Sequence, residues 1–289
     1  MLTLTQGASS IVVAPEHGAS LLGWVLDRIP IFRRALSEAA VGGNPHAMAC
    51  FPLLPYCNRI GRARFRQDGT DYRLRPNFGD HPHTIHGIGW QRAWTVTRTG
   101  AADAILVLEH HPDPDWPFAF QAAVRYDLSE STLAVTLALT NRHDAPAPAG
   151  IGLHPYFPKA SNPRLRFSAS GAWHNGADAL PSGHGAVPTG WHHAEPRPVM
   201  QSRLDNCFTG WDGTADILAG PASLRIEADP VFGNLQVFTP PWADFFCVEP
   251  VSHAPDAINR HDLSPDQAMT RLVPGATLAG TIRLILTGT

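Results

Sequence analysis

Three histidines, His81, His83 and His86, fall within the stretch DHPHTIHGIGW at residues 80–90. Imidazoles can hold a metal, move protons or hydrogen-bond a ligand, and the spacing alone does not separate these uses. Ligation would want two of them on one side of a strand, as the i, i+2 spacing of His81 and His83 allows. Pro82 between them makes regular strand pairing doubtful, because it carries no N–H. The chain has 15 histidines, so the cluster is equally explained as a polar loop. Three other segments combine strand ends with polar density. GIGLHPYFP sets His154 among glycines, prolines and the aromatic pair Tyr156 and Phe157. FFCVEPVSHAPDAINR ends an apolar run on Glu249, with Pro250 next. FPLLPYCNRIGRARF places Asn58 and Arg59 behind a proline-rich apolar run. A carboxylate and an imidazole meeting on one ligand make a general base and a general acid. Taken singly, Glu249 reads as a strand-end carboxylate and His154 as a satisfied core histidine.

These groups need a scaffold, and the chain is long enough to supply one. Its 289 residues are 44% hydrophobic with a formal net charge of -3, the composition of a folded globular protein. No basic stripe offers a footprint for nucleic acid or anionic lipid, so neither is expected as a partner. Lys159 is the only lysine, leaving one candidate for Schiff-base chemistry. The four cysteines form no CxxC pair and are expected to be reduced and buried. The first residues lack a signal-peptide pattern, and no run approaches the ~20 apolar residues needed to span a bilayer. A cytoplasmic location is the expectation.

The period of the apolar residues is two. TLAVTLALTN alternates Leu133, Val135, Leu137 and Leu139 with small or polar residues, as a half-buried strand does. FQAAVRYDL before it joins through SES, which predicts an antiparallel hairpin over residues 120–141. IVVA, WTVTRT, AILVLEHH, RLRFSAS, SLRIEAD, NLQVFTP, FFCVE and TIRLILT are further strand candidates. The 27 prolines and 25 glycines punctuate them more often than long helices would tolerate. RRALSEAAV, residues 33–41, could form a turn or two of helix. Many short strands, with no linker and no internal repeat, predict an all-β sandwich or barrel filling residues 1–289 as one domain. GxGxxG, P-loop, HExxH and GxSxG motifs are absent, which removes the usual support for dehydrogenase, nucleotide hydrolase, zincin and α/β-hydrolase readings.

In order along residues 51–260 run NRIGxxxF, HGxGWxxxW, HPYF, QVFTP and VEPVSHAPDAIN. That succession resembles the aldose 1-epimerase (galactose mutarotase) family, with LVPGATL as a family-like tail. The resemblance implies a large antiparallel β-sandwich, the galactose mutarotase-like supersandwich. It implies interconversion of the α and β anomers of an aldose, with Glu249 as catalytic base and His154 as catalytic acid. Asn58, Arg59, His86, Asp205 of RLDNCF and Gln236 fall on sugar-binding positions, and Tyr156 could cover a C–H face of the sugar. His81 and His83 remain loop residues. Ring opening and closing by acid and base needs no redox step and no activating metal, so no cofactor is expected. The partner is a small-molecule aldose, with or without a phosphate. The lead-in to NRI, the GIGWQRAW segment and residues 174–203 depart from the galactose-specific pattern, which leaves the sugar open. A hexose-6-phosphate 1-epimerase and a non-catalytic sugar-binding or sensor protein are the alternatives. A metal enzyme built on the three histidines, and a glycosidase using Glu249 with Asp205, are weaker ones.

Overall fold

The computed structural model describes residues 1–35, 47–160, 162–261 and 263–288. The predicted hairpin is present: Phe120–Leu128 pairs antiparallel with Thr132–Asn141, from Phe120 opposite Asn141 to Leu128 opposite Leu133. Both strands alternate buried and part-exposed positions residue by residue, as their sequence does. Thr277–Leu286 lies along the other side of Thr132–Asn141 with the same alternation. These belong to a nine-stranded sheet that runs from Thr95–Thr99 to Arg197–Pro198.

A second sheet, of eleven strands among the described residues, starts at Leu2–Gln6 and ends at Pro181–Ala186. Its middle is Cys50–Leu53, Gly152–Pro158, Phe245–Val251, Asn234–Phe238 and Asp205–Thr209, hydrogen-bonded in that order. Neighbours here come from distant parts of the sequence, so HPYF, QVFTP and the start of VEPVSHAPDAIN lie side by side, while NRI at Arg59–Ile60 pairs with Thr84–Ile85, just before HG, in a separate two-stranded sheet. Leu153, Phe208, Leu235, Val237, Phe246 and Val248 join Leu133, Val135, Leu137, Ile282 and Leu284 of the other sheet in one apolar cluster. The residues between them, Cys207, Gln236, Cys247, Glu249, His154 and Tyr156, therefore project from the opposite face.

Phe245–Val251 is buried at every position and Gly152–Pro158 at all but the last. A strand covered on both faces reads as a continuous apolar run rather than an alternation, which is why FFCV lacks the period seen in TLAVTLALTN. Helical structure among the described residues is limited to short 3-10 turns, such as Gly61–Ala63, Gly89–Gln91 and Ala257–Asn259. The helix predicted in RRALSEAAV falls largely on residues outside those described. No helix of the described residues is long and apolar enough to cross a membrane.

Candidate active site

Strand register assembles the site. Cys207 lies opposite Gln236, and Gln236 opposite Glu249. His154 is on the next strand, between the pairs Gly152–Val251 and Tyr156–Cys247, and lies opposite Phe51 on the strand after that. One row across the sheet thus carries Gln236, Glu249 and His154 side by side. The adjacent row carries Asp205 and Phe238, then Cys247 and Tyr156. Each of the two proton-transfer candidates precedes a proline, Pro155 or Pro250. A residue before proline is held to extended backbone, so the row is stiff where it matters.

Glu249 and His154 touch: Nε2 of the imidazole is 3.4 Å from Oε1 of the carboxylate, and both side chains are nearly fully buried. The imidazole is sandwiched between Phe51, centroids 4.7 Å apart, and Tyr156, centroids 4.6 Å apart. Tyr156 is buried, with the Arg33 guanidinium 4.1 Å over its ring. The tyrosine expected to cover a sugar therefore braces His154 from behind, outside the set of cavity-lining residues. Trp90 is buried with its indole N–H on the Ile85 carbonyl, also away from the cavity lining.

The other predicted residues line the same cavity as Glu249 and His154: Asn58, Arg59, His86, Asp205 and Gln236. Asn58 and His86 both adopt left-handed backbone, with φ of 56° and 61°. They are tied together reciprocally: the His86 N–H donates to Asn58 O at 2.9 Å, and the Asn58 N–H to His86 Nδ1 at 3.3 Å. An imidazole accepting at Nδ1 carries its proton on Nε2, so His86 offers a donor. Gly87 follows, also left-handed, and a Cβ there would collide with the backbone carbonyl of Leu54. Only glycine fits that approach.

Arg59 donates from Nη1 to Asn58 Oδ1 at 3.4 Å, and its Nη2 stands 4.0 Å from Asp205 Oδ2. Gln236 donates from Nε2 to Asp205 Oδ1 at 2.9 Å. Its Oε1 is buried without a hydrogen-bond partner, as is Nε of Arg59. Buried polar atoms are seldom left so, and a hydroxylated ligand would satisfy them. Burial, and then the nearby charge of Asp205, push the Glu249 carboxyl well above the usual carboxylate range, with Arg59 opposing. Burial raises Asp205 as well, against Arg59 and Gln236. The Glu249 carboxyl therefore holds a proton more tightly than an exposed glutamate would.

The three-histidine stretch divides. His86 reaches the cavity. His83 is buried, with Nδ1 accepting the Arg62 N–H at 2.7 Å and Nε2 at 3.1 Å from Asp178 O. It is a strap between two loops, a role its spacing did not announce. His81 lies beside it, half-buried, and accepts the His83 N–H at 3.3 Å. Among the described residues the side chains that gather as metal ligands would are His154, Cys247 and Glu249, their atoms all within 4.8 Å of one another. Burial and the Glu249 charge raise the Cys247 thiol well above its usual range. All four cysteines are free and buried.

Residues outside the predicted set hold the site together. The Asp256 carboxylate accepts the Gly61 N–H at 2.8 Å, and its own N–H donates to Arg59 O at 2.9 Å. His253 accepts the Cys57 N–H on Nε2 at 3.0 Å and faces Ala254 O with Nδ1 at 2.8 Å. Burial pushes its pKa down to about 4, so it stays neutral. VSHAPDAIN thus clamps the turn bearing NRIG, nearly two hundred residues earlier in the chain. The signal was present as a motif, while its partner could not be read from one strand of text. Phe78, Ile85, Phe238, Trp242 and Phe245 form the apolar part of the lining, within a cavity of about 230 Å³.

Residues 1–284 match the family model described as aldose 1-epimerase. The uncharacterised protein YphB of Escherichia coli K12 is 30% identical over 289 residues, covering 93% of this chain and 95% of that one. The aldose 1-epimerase of the same organism is 28% identical over 169 residues, 54% of this chain and 47% of that protein. The crystal structure of a galactose mutarotase-like protein from Clostridium acetobutylicum shares the fold, with a TM-score of 0.85 at 19% identity over 99% of this chain and 95% of that one.

Proposed function

The chain belongs to the aldose 1-epimerase family, and from that premise we propose that it equilibrates the α and β anomers of a free, uncharged aldose by general acid–base catalysis. The observation that carries the reading is the contact between His154 and Glu249, 3.4 Å apart at the floor of a cavity lined with hydrogen-bonding groups. Opening a hemiacetal removes a proton from the C1 hydroxyl and delivers one to the ring oxygen. Those two oxygens share one carbon, so the base and the acid must be neighbours. A glycosidase instead separates its carboxyl groups by about 5 Å or more, and the second carboxylate here, Asp205, is engaged by Arg59 and Gln236.

In the forward direction Glu249 takes the C1 hydroxyl proton as the bond from C1 to the ring oxygen breaks, and His154 protonates that oxygen. C1 becomes an aldehyde carbon. Rotation about the C1–C2 bond presents its other face; His154 then takes back the hydroxyl proton as that oxygen attacks, and Glu249 returns its own to the new C1 oxygen. The pair holds the same number of protons at the end as at the start. Arg59, Asp205, Gln236, Asn58 and the Nε2–H of His86 orient the hydroxyls. General acid and base are each worth typically ~10²–10⁴-fold.

Arg59 is the sole lysine or arginine among the described lining residues, and Asp205 and Glu249 face the same space. A phosphate would meet more negative than positive charge there, which favours an unphosphorylated sugar over a hexose 6-phosphate. A panel of freshly dissolved aldoses and aldose 6-phosphates, followed by NMR of the anomeric protons, tests the reading. Acceleration of at least one neutral aldose is expected. Turnover confined to the phosphates would reverse the choice of substrate, and none on either would leave a sugar-binding protein.

A further inference from the structure

One large hydrophobic side chain at the cavity has no covering. Trp242 is 78% exposed, yet it lines the same cavity as Glu249 and His154. It sits in the turn between Asn234–Phe238 and Phe245–Val251, edge-on to Phe245 and Phe238 with centroids 6.3 and 6.5 Å away. The turn is built to hold it there. Lys159 donates from Nζ to the carbonyls of Pro240 and Ala243, on either side of Trp242, and its backbone N–H donates to Asp244 O at 2.8 Å. The one lysine of the chain is thus committed to fixing this turn.

Position along the strand decides what Trp242 could reach. Along the backbone Phe245 lies four residues from Glu249, about 13 Å at the rise of a β-strand, and Trp242 belongs to the turn that precedes Phe245. That separation exceeds one pyranose ring seated with C1 at Glu249. The enclosed cavity, about 230 Å³, is also below the range of about 300–1,000 Å³ common for drug-sized ligands. One ring fits inside, and Trp242 stands over whatever extends from its far end.

Building on the epimerase reading, we propose that Trp242 is a specificity-determining residue, a platform on which a second glycosyl unit stacks, so that the substrates include the reducing ends of disaccharides. The C–H face of a pyranose is apolar and flat enough to cover an indole, while its hydroxyls remain in water. Aromatic pairs contribute roughly 0.5–1.5 kcal/mol beyond area burial; a sugar–indole contact of that size would be worth about two- to twelve-fold in affinity.

The test compares maltose and lactose, whose reducing residue is glucose, with glucose itself, on wild type and on Trp242→Ala and Trp242→Phe. Anomer equilibration gives kcat/KM, and titration calorimetry gives Kd. The disaccharide-to-glucose ratio of kcat/KM should fall at least about threefold in Trp242→Ala and less in Trp242→Phe, with Kd following. A ratio that does not change, or a wild type that binds neither disaccharide, overturns the platform. Absence of turnover on every sugar, with disaccharide binding still dependent on Trp242, would remove the epimerase reading and leave the platform standing.

Discussion

At the scale of single residues, the catalytic proposal rests on two side chains sharing one proton inventory, and this makes specific demands. His154→Asn removes the donor to the ring oxygen and should lower kcat by about 10²-fold or more. Because both groups act on one transition state, combining it with Glu249→Gln should cost far less than the product of the single losses; full additivity in steady-state rates would assign the two residues to separate steps. The pH profile of kcat/KM should be bell-shaped and belong to the pair. Its acid limb should lie above the ordinary carboxylate range, since burial and Asp205 raise Glu249. An acid limb at the position of an exposed glutamate would show that Glu249 is not the group titrating. The candidate residues were legible because most sit in short, ordered motifs, and the structure brings Asn58, Arg59, His86, His154, Asp205, Gln236 and Glu249 around one cavity. Tyr156 is ambiguous in the sequence because an aromatic beside a candidate acid can face either way, and the stacking of its ring on His154 is what shows that it braces the imidazole. Trp242 leaves no mark in the sequence, because one tryptophan in a turn carries no spacing.

At the scale of elements, alternation announced the outer strands, and the sequence segments TLAVTLALTN, FQAAVRYDL and TIRLILT became Thr132–Asn141, Phe120–Leu128 and Thr277–Leu286 with little loss. The order in which central strands lie side by side was not legible, since hydrogen bonds between segments a hundred residues apart leave no local mark. The loop at residues 80–90 shows the same limit. Its histidines are alike in sequence, and the fold gives them three different surroundings. His83→Ala leaves the Arg62 N–H and the Asp178 carbonyl without their buried partner, which should cost about 1–3 kcal/mol. His81→Ala removes one half-buried ring and should stay within about 0.5 kcal/mol. Denaturant melts of the two variants check this, and equal stabilities would contradict the strap assigned to His83.

At the scale of the whole molecule, two sheets share one apolar cluster, and we propose that residues 1–289 unfold as one unit, in a single transition. Burying Glu249 makes that transition depend on pH. Its pKa is raised in the folded state, so between the ordinary carboxylate range and the raised value the folded protein binds more protons than the unfolded one. Stability contributed by this group is therefore present at low pH and lost as pH rises through that window. Glu249→Gln, which stays neutral, should flatten the fall of Tm with pH and melt higher than wild type at the alkaline end; a variant melting lower than wild type throughout would show that the charged carboxylate stabilises the fold. A protein that stores this cost in its site is expected to gain by it in rate. The most direct measurement follows the anomeric protons of a freshly dissolved neutral aldose by NMR, with spontaneous mutarotation subtracted, for wild type and for folded Glu249→Gln. The account predicts rapid equilibration by wild type and a rate reduced by at least about 10²-fold in the variant. Equilibration by Glu249→Gln at close to the wild-type rate would contradict it.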